Sequence, residues 1–480
     1  MTGRSAVVCL FVSSLLAAPA PSGSLESRIR RVLATSPLAQ TAFVGILVED
    51  ASSRRLVSLN AGHLFIPASN TKLFSTALAL EKLGPGYTVE TRVEQRGADL
   101  FLIGAGDANL SGRVIPYQYK SKSGPSLAVM DDLAGQIAAR GISTVEGGIV
   151  GDDTAFQFEP HAHGWAVEDM IDDDGPPVGA LVFNDNLIDL VVTPGAAGGA
   201  PASVAFDPPL DVFRFTSTAA TGSPKSIQVD RLPNSAEVHV SGLLPASHEP
   251  DRTSLSVDDP ARYAALALKT ALERRGIVVK GSASALHWLP GTAPPAIAQG
   301  SVIASRRSAS LIEDLRVIDK VSQNLHADLL LFHVSKALSG PGSREDGLKQ
   351  LGAFLSEMGI KPDQYCFWDG SGLSRMNLVT PEAVVTLLRH MSASRYRDQW
   401  LALLPVNGVD GSLAERLDSP RFRGRIVAKT GGLSHVSALS GYAHPRRGPD
   451  RIFSIFVNNY GRDSAEAHKL IDKICTLLLE

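Results

Sequence analysis

The sequence predicts an α+β protein whose helices and antiparallel strands are interrupted by a long β-rich insertion. Strand-like runs occur near both ends of the chain, at residues 42–49, 55–59, 425–429, 434–443 and 451–458. Helical patterns lie beside these runs, but they become scarce between about residue 90 and residue 300, where Gly, Pro, Asp and Ala increase. We therefore expect an insertion of about 200 residues within a framework of helices and antiparallel strands.

The first elements in chain order are a short helix at residues 26–33, the two strands at 42–49 and 55–59, and a helix that follows Lys72. That helix carries apolar side chains at helical spacing and is predicted to be buried; they are Leu73, Phe74, Ala77, Leu78 and Leu80. The insertion is predicted as short strands, such as 226–229 and 236–240, with a surface loop at 193–209.

Helical patterning returns after the insertion. It covers residues 310–336, with an interruption at 322–324, and then 381–391. The three C-terminal strands follow, and a closing helix is predicted at 464–479.

The overall composition excludes some classes of function. At roughly 150 residues per domain, 480 residues suggest about three domains. A hydrophobic content of 44% and a charged content of 20% are typical of a soluble globular protein with a sizeable core. The net charge of −3 gives no electrostatic basis for binding nucleic acid or an anionic membrane.

The N-terminal segment has the pattern of a secretory signal peptide. Arg4 precedes an apolar run at residues 6–16, and small residues follow up to Ala20. The run is too short to span a bilayer, and a buried helix at this position is the alternative interpretation. We expect residues 1–20 to be a signal peptide and the exported protein to make no integral membrane contact.

Cysteine usage leaves two possibilities open. Cys9 lies inside the apolar run and would be removed with the signal peptide. Cys366 and Cys475 remain, and in an exported protein they could form one disulfide or stay as two buried free thiols.

The strongest local candidate for chemistry is the pair Ser69 and Lys72. Residues three apart lie on one face of a helix, so the two side chains can touch. A serine hydroxyl needs a base to become a good nucleophile, and burial lowers the pKa of a lysine enough for it to act as that base. A surface lysine after a capping serine would give the same pattern, but this is the only Ser-x-x-Lys in the chain.

Two further motifs are weaker when taken alone. Ser322 and Asn324 interrupt a helical region, where a hydroxyl could relay protons and an amide could hold a lysine and a substrate amide. Lys429-Thr430-Gly431 ends an apolar strand, where a cation and a hydroxyl can bind a carboxylate and glycine lets a substrate backbone pair along the edge. An interrupted helix and an ordinary strand-end turn are the alternatives.

Together, Ser-x-x-Lys, Ser-x-Asn and Lys-Thr-Gly in this order are the signature of penicillin-binding proteins and serine β-lactamases. The sequence resembles the D-Ala-D-Ala carboxypeptidase/endopeptidase family of low-molecular-mass, class C penicillin-binding proteins. Three other segments are similar to that family: Asp-Gly-Ser-Gly-Leu-Ser-Arg at 369–375, Gly-Ala-Gly-Asp at 104–107 and the Gly-Trp segment at 164–169. The long insertion after the first motif is also a feature of that family.

The resemblance implies a penicillin-binding-protein/β-lactamase-like fold, with a five-stranded antiparallel sheet and helices on both of its faces. The strands near 42–60 would complete a sheet with those near 425–460. The domains expected are a catalytic domain formed by residues 25–90 and 300–480 and an inserted β-rich region at 91–299, made of two nested subdomains.

The family's functional residues transfer to matching positions of this chain. The resemblance implies that Ser69 is the acylated nucleophile and Lys72 its base, and that Ser322 and Asn324 are the proton relay and the amide clamp. It implies that Lys429 provides electrostatic stabilisation.

The remaining transferred positions bind the substrate. The resemblance implies that Thr430 and Gly431 contact its backbone and carboxylate, that Arg375 contacts its side chain, and that the N–H groups of Ser69 and Gly432 form the oxyanion hole.

Three positions depart from the family pattern. Gly432 stands where relatives often have Thr or Ser, which removes a hydroxyl that helps hold the substrate carboxylate. Ala108 replaces a common Pro, and the acidic segment 170–174 lacks the tyrosines often found there.

The function implied by the resemblance is hydrolysis of D-Ala-D-Ala bonds in peptidoglycan stem peptides at the cell wall, in the periplasm or outside the cell. β-Lactam antibiotics would be covalent inhibitors, and no metal or cofactor would be needed. The alternatives are a β-lactamase or esterase on the same fold, and a non-catalytic wall-binding protein.

Overall fold

A computed structural model describes residues 23–121, 123–338, 340–461 and 463–480. The predicted signal peptide at 1–20 lies outside the described residues. Within the described ranges, no helix combines the length and the apolar character needed to cross a membrane.

The helices are α1 (Leu25–Ala34), α2 (Lys72–Leu83), α3 (Ala128–Ala139), α4 (Pro260–Arg274), α5 (Leu311–Val321), α6 (Asn324–Ala337), α7 (Arg344–Glu357), α8 (Pro381–Ala393), α9 (Arg397–Leu403) and α10 (Ser464–Leu478). The strands are β1 (Phe43–Asp50), β2 (Arg55–Leu59), β3 (Glu90–Arg96), β4 (Asp99–Ile103), β5 (Thr144–Val145), β6 (Ile149–Gln157), β7 (Leu187–Thr193), β8 (Ser203–Asp207), β9 (Arg214–Ser217), β10 (Ala220–Thr221), β11 (Gln228–Arg231), β12 (Glu237–Ser241), β13 (Leu243–Leu244), β14 (Asp251–Ser256), β15 (Val278–Val279), β16 (Ala283–Trp288), β17 (Ser301–Arg307), β18 (Tyr365–Cys366), β19 (Leu378–Val379), β20 (Ile426–Leu433), β21 (Val436–Ala443) and β22 (Arg451–Asn458).

The two ends of the chain meet in one five-stranded antiparallel sheet. Its order is β2-β1-β22-β21-β20, so β1 pairs with β22 across almost the whole sequence. Helices α1 and α10 cover one face, and α8 packs on the other. The predicted fold class is therefore confirmed, including the pairing of the strands near 42–60 with those near 425–460.

Burial on both faces explains why the central strands lack a simple alternating pattern. Every residue of β21 is buried, and so is every residue of β22 except the first. A strand covered on both sides needs small or apolar side chains throughout. The edge strand β20, by contrast, exposes Gly432 and keeps one side of its backbone free of a strand partner in this sheet.

The helices behind the sheet form an apolar interior. All residues from Lys72 to Leu80 of α2 are buried, and α6 is buried from Leu325 to Ser335. A helix that is buried all round lies in the core of its domain. The contacts of α2 with α5, α6 and α7 thus enclose Lys72 in a dry environment.

A second five-stranded sheet, of order β16-β6-β4-β3-β17, is formed mainly by the insertion and is completed by β17 just after residue 299; an apolar core that includes residues of α3 and α4 lies with it. The small sheets β14-β7-β8 and β11-β12-β9 come from the chain between β6 and α4. One expectation was wrong here, since the segment 193–209 contains β8, which pairs with β7. Helices are scarce between about residues 90 and 300, as expected, because the described part of this region has α3 and α4 among many short strands. The boundaries at 91 and 299 stay predictions.

The two cysteines are both free thiols, so they do not form a disulfide. Cys475 is buried in α10, whereas Cys366 is exposed. The alternative of two buried thiols was therefore wrong for Cys366, which lies in the short strand β18 at the surface.

Candidate active site

Ser69 and Lys72 meet at the start of α2. Residues Ala68–Thr71 form a 3₁₀ turn, and α2 begins directly after it at Lys72. Lys72 Nζ donates a hydrogen bond of 2.9 Å to Ser69 Oγ. The spacing of three residues therefore places an amine against a hydroxyl.

Burial makes the Lys72 ammonium group more acidic. Its side chain is 0% exposed, and Nζ also donates to Asn324 Oδ1 at 2.6 Å and to the Ser371 carbonyl at 2.7 Å. Burial, followed by repulsion from Lys429, lowers the pKa of Lys72 to about 7. Three carboxylates oppose this change: Asp369, Asp328 and Asp319. Near pH 7, a substantial fraction of Lys72 is thus neutral and able to accept a proton.

Ser322 lies at the break between α5 and α6. Its backbone has a φ of 66°, which is a left-handed conformation. Residues other than glycine rarely adopt this conformation, and those that do are often found at functional sites. Lys429 Nζ donates to Ser322 Oγ at 2.8 Å. Asn324 begins α6, and its Nδ2 donates to the Asp174 carbonyl at 2.8 Å. The helix break thus directs a hydroxyl and an amide towards the two lysines.

The strand β20 supplies the third side of the site. Lys429 is fully buried, and burial lowers its pKa, whereas Asp319 acts to raise it. A Cβ at position 431 would lie 2.7 Å from the Pro67 carbonyl, which explains the glycine there. A Cβ at position 432 would have no atom within 4 Å. Close packing therefore requires Gly431 but does not require Gly432.

A cavity of about 500 Å³ opens over these groups. Its lining residues are Ser69, Asp169, Asp174, Val321, Ser322, Asn324, Gly372, Leu373, Arg375, Ser412, Arg416, Thr430, Gly431, Gly432, Leu433, Ser434 and His468. Lys72 and Lys429 are buried next to it and reach it through the hydroxyls of Ser69 and Ser322. All nine positions selected from the sequence thus belong to one site.

The segment 369–375 supports this cavity from outside the three motifs. Asp369 is fully buried and accepts hydrogen bonds from Trp165 Nε1 at 2.9 Å and from Asn377 Nδ2 at 2.6 Å. This network fixes the backbone that turns the Ser371 carbonyl onto Lys72. Arg375 is at the rim, where its Nη1 donates to the Ser434 carbonyl at 3.2 Å.

Several lining residues were missed by the sequence analysis. Ser412 Oγ lies 2.7 Å from Thr430 Oγ1, and Arg416 and His468 line the same cavity. Asp174 was noted only as part of an acidic segment, yet it lines the cavity, and burial raises the pKa of its carboxyl. No local pattern marks these residues, because loops and α10 bring them together from distant parts of the chain.

Comparison with known proteins agrees with this geometry. The model of the family described as "D-Ala-D-Ala carboxypeptidase 3 (S13) family" matches residues 25–478. The D-alanyl-D-alanine carboxypeptidase of Actinomadura sp. (strain R39) is 33% identical over 467 residues, which cover 92% of this chain and 82% of that protein. The D-alanyl-D-alanine carboxypeptidase DacB of Haemophilus influenzae is 25% identical over 442 residues, covering 90% of this chain and 89% of that protein.

Solved structures show the same fold. Penicillin-binding protein 4 (dacB) from Haemophilus influenzae superposes with a TM-score of 0.78 at 22% identity, covering 94% of this chain and 99% of that one. The same protein complexed with a β-lactam superposes with a TM-score of 0.73.

Proposed function

The chain belongs to the D-Ala-D-Ala carboxypeptidase 3 (S13) family of serine-type peptidases, and we propose that it cleaves D-Ala-D-Ala bonds of peptidoglycan stem peptides through an acyl-enzyme at Ser69. The observation that carries the proposal is the 2.9 Å contact between Ser69 Oγ and the buried amine of Lys72. A base with a pKa of about 7 is well matched to proton transfer near neutral pH.

Acylation starts when neutral Lys72 takes the proton of the Ser69 hydroxyl and Oγ attacks the carbonyl carbon of the penultimate D-Ala. The backbone N–H groups of Ser69 and Gly432 would stabilise the oxyanion that forms. The C–N bond then breaks, and the leaving amine of the terminal D-Ala takes a proton through Ser322. Water afterwards hydrolyses the ester to release the shortened peptide and restore Ser69.

Substrate binding would use the rim of the cavity. The charge of Lys429 and the Thr430 hydroxyl would attract the terminal carboxylate, and the edge of β20 would pair with the peptide backbone. Asn324 would hold the substrate amide, while Arg375 would contact the stem-peptide side chain. A cross-linked peptide with the same D-Ala carbonyl would be attacked in the same way, which is endopeptidase activity.

β-Lactams would acylate Ser69 by the same route, since their strained amide presents a carbonyl to the same nucleophile. We further propose that the protein acts at the cell wall after export, which the signal-peptide pattern of the first 20 residues supports.

Labelling by a fluorescent penicillin tests this function. The wild-type protein should take up one long-lived label, and Ser69→Ala should take up none while keeping its thermal unfolding midpoint. Ser434→Ala is a matched control, because it removes another hydroxyl from an exposed residue of the same cavity and should be labelled normally.

Each other outcome would favour an alternative. Rapid turnover of the drug would indicate a β-lactamase, and absence of labelling in the wild type would indicate a non-catalytic wall-binding protein. A labelled Ser69→Ala variant would contradict the proposed nucleophile. Assays on diacyl-Lys-D-Ala-D-Ala and on cross-linked muropeptide dimers would then measure carboxypeptidase and endopeptidase activity separately.

A further inference from the structure

A buried carboxylate that the proposed reaction does not use is that of Asp319. It lies on α5, three residues before Ser322, and is 0% exposed. Neither of its oxygens has a hydrogen-bond partner among the residues that the structure describes. An ionisable group placed in the core without partners is costly, so a purely structural role would be served better by an apolar side chain.

The neighbouring lysine in the sequence does not neutralise Asp319 by a direct ion pair. Lys320 Nζ instead donates to both carboxylate oxygens of Asp410 at 2.7 Å and to the Leu404 carbonyl at 2.7 Å. Burial raises the pKa of the Asp319 carboxyl, and the charges that oppose this effect are those of Lys429 and then Lys72, with Lys320 a smaller contributor. Asp319 lies about one helical turn before Ser322, whose Oγ accepts a hydrogen bond of 2.8 Å from Lys429 Nζ, so its carboxylate is close to the buried lysines of the site.

The two lysines depend on Asp319 to different extents. Lys72 is influenced by three carboxylates, of which Asp369 and Asp328 act more strongly than Asp319. For Lys429, Asp319 is the carboxylate that counteracts the effect of burial, and the described part of the chain provides no other with a resolved effect. Loss of the Asp319 charge would therefore affect Lys429 first.

We propose that Asp319 is a positioning residue that determines which of the two lysines is protonated: its carboxylate keeps Lys429 charged, while Lys72 is free to lose its proton. The roles of the two lysines rest on the proposed function. Asp319 is the carboxylate that acts on Lys429, whereas burial and the charge of Lys429 lower the pKa of Lys72, so the cluster holds one cation for the substrate carboxylate and leaves one amine as the base. Asp319 touches neither the substrate nor the reacting atoms in this account.

The proposal predicts a specific change in pH dependence. Without the Asp319 charge, Lys429 loses its proton at lower pH, so the alkaline limb of kcat/KM moves towards neutral pH. An opposite charge nearby typically changes a pKa by about 1–3 units, so we expect a shift of at least about one pH unit. The acid limb, which reports Lys72, should move less because Asp369 and Asp328 remain.

Asp319→Asn tests this, because it keeps the shape of the side chain and removes its charge. Hydrolysis of diacyl-Lys-D-Ala-D-Ala and acylation by penicillin would be measured from pH 5 to pH 10 for the wild type and the variant. We expect KM to rise above neutral pH, with the alkaline limb displaced. A profile that superimposes on that of the wild type, even at lower amplitude or with a changed Tm, would overturn the proposal.

Asp410→Asn is the matched control. It also removes a carboxylate that contacts a residue of α5, but that residue is Lys320 and not one of the two lysines of the site. The control variant should keep the alkaline limb of the wild type. An equal shift in both variants would contradict a specific role for Asp319.

Lysine titration by NMR separates this proposal from the proposed function. In wild-type protein with labelled lysine side chains, Lys429 should keep its proton to higher pH than Lys72, whether or not Ser69 is acylated. Lys72→Arg and Lys429→Arg variants would assign the two signals. This measurement needs no Asp319 variant to fold, and a Lys429 that titrates below Lys72 would refute the proposal.

Discussion

Two buried ionic clusters include residues of the helices α5 and α6, and they change the pKa of their basic groups in opposite directions. The lysine cluster consists of Lys72 and Lys429 with the carboxylates of Asp319, Asp328 and Asp369. The histidine cluster consists of His326 with Asp314 and Asp185, and has one imidazole between two carboxylates. Both are largely removed from water, so burial and the charges nearest to each group decide which groups keep their protons.

In the histidine cluster every ring nitrogen has a partner. His326 Nδ1 lies 2.7 Å from Asp314 Oδ1, and Nε2 lies 3.0 Å from Asp185 Oδ1. Arg113 pairs with Asp185 as well. Although burial acts to lower it, the two carboxylates raise the pKa of His326 to about 9. The imidazolium is therefore held charged and fixed in place.

This fixed cluster also holds the loop at residues 322–324 in place. Gln323, between Ser322 and Asn324, donates from Nε2 to Asp185 Oδ2 at 3.2 Å. Asp185 comes from the insertion and has a φ of 55°, between two other left-handed residues, Asn184 and Asn186. The insertion thus contributes a contact that positions the loop.

The two clusters are suited to different tasks. A cation that pairs with two carboxylates keeps its proton, and its ion pairs connect the segments that carry the three residues. Two amines buried close together leave one of them ready to accept a proton, because burial and the charge of Lys429 lower the pKa of Lys72. The histidine cluster is thus suited to stabilising the fold, whereas the lysine cluster is suited to proton transfer.

The largest expected effect comes from breaking the lysine cluster with Lys72→Arg. A guanidinium keeps its proton in proteins, so it cannot serve as the base. We expect acylation by penicillin to fall by about three orders of magnitude or more, because the members of a catalytic unit act together. Stopped-flow labelling would measure the rate.

Lys82→Arg is the control for that variant, since Lys82 lies on the same helix and pairs with Glu357 at the surface. The Lys82→Arg variant should be acylated by penicillin at the rate of the wild type. If Lys72→Arg also acylates at a near-normal rate, the base lies elsewhere, and Ser322 would be the next candidate.

A smaller effect is expected from breaking the histidine cluster with His326→Gln. Because the folded pKa of about 9 exceeds the unfolded value of about 6.5, the stabilisation is complete below pH 6.5 and is lost as pH rises through 9. At 1.36 kcal/mol per unit, the wild type should lose roughly 3 kcal/mol of unfolding free energy across this window.

Chemical denaturation at pH 6 and pH 9.5 would check this prediction. His326→Gln should show a smaller pH dependence than the wild type, whereas His63→Gln, at an exposed histidine, should match the wild type. Equal pH dependence in wild type and His326→Gln would show that the cluster does not stabilise the protein through its charge.

The smallest effect concerns the rim of the lysine cluster, where Gly432→Thr would add a hydroxyl without changing any charge. A hydrogen bond to a carboxylate contributes roughly 1.5–3 kcal/mol, so kcat/KM on D-Ala-D-Ala peptides should rise by about tenfold or more. The open space at position 432 can accept the new side chain.

Two alanine variants sharpen this test. Gly432→Ala should change kcat/KM little, whereas Gly431→Ala should reduce it, because its Cβ would press against the Pro67 carbonyl and the Asn70 amide. A clear fall in kcat/KM for Gly432→Thr with an intact fold would show that glycine is required there for another reason, such as a bulky substrate.

Some parts of the fold and of the site could be predicted from the sequence, and others could not. The three motifs could be found because their residues are close in sequence and have distinctive chemistry, and the sheet could be found because its strands are continuous apolar runs. Asp319, His326 and Ser412 could not, since their partners come from distant segments. The segment 193–209 was wrongly predicted as a loop because β8 is a short, only partly buried strand among Gly, Ala and Pro residues.

Mass spectrometry of the penicillin adduct would show directly whether Ser69 is the acylated nucleophile. Trypsin would release residues 56–72, which contain Ser58 as well as Ser69 and so include an internal control serine. We expect this peptide to gain the mass of one intact penicillin and fragmentation to place that mass on Ser69 alone. An adduct on Ser58, on another peptide, or on no residue of a fully folded protein would contradict the account.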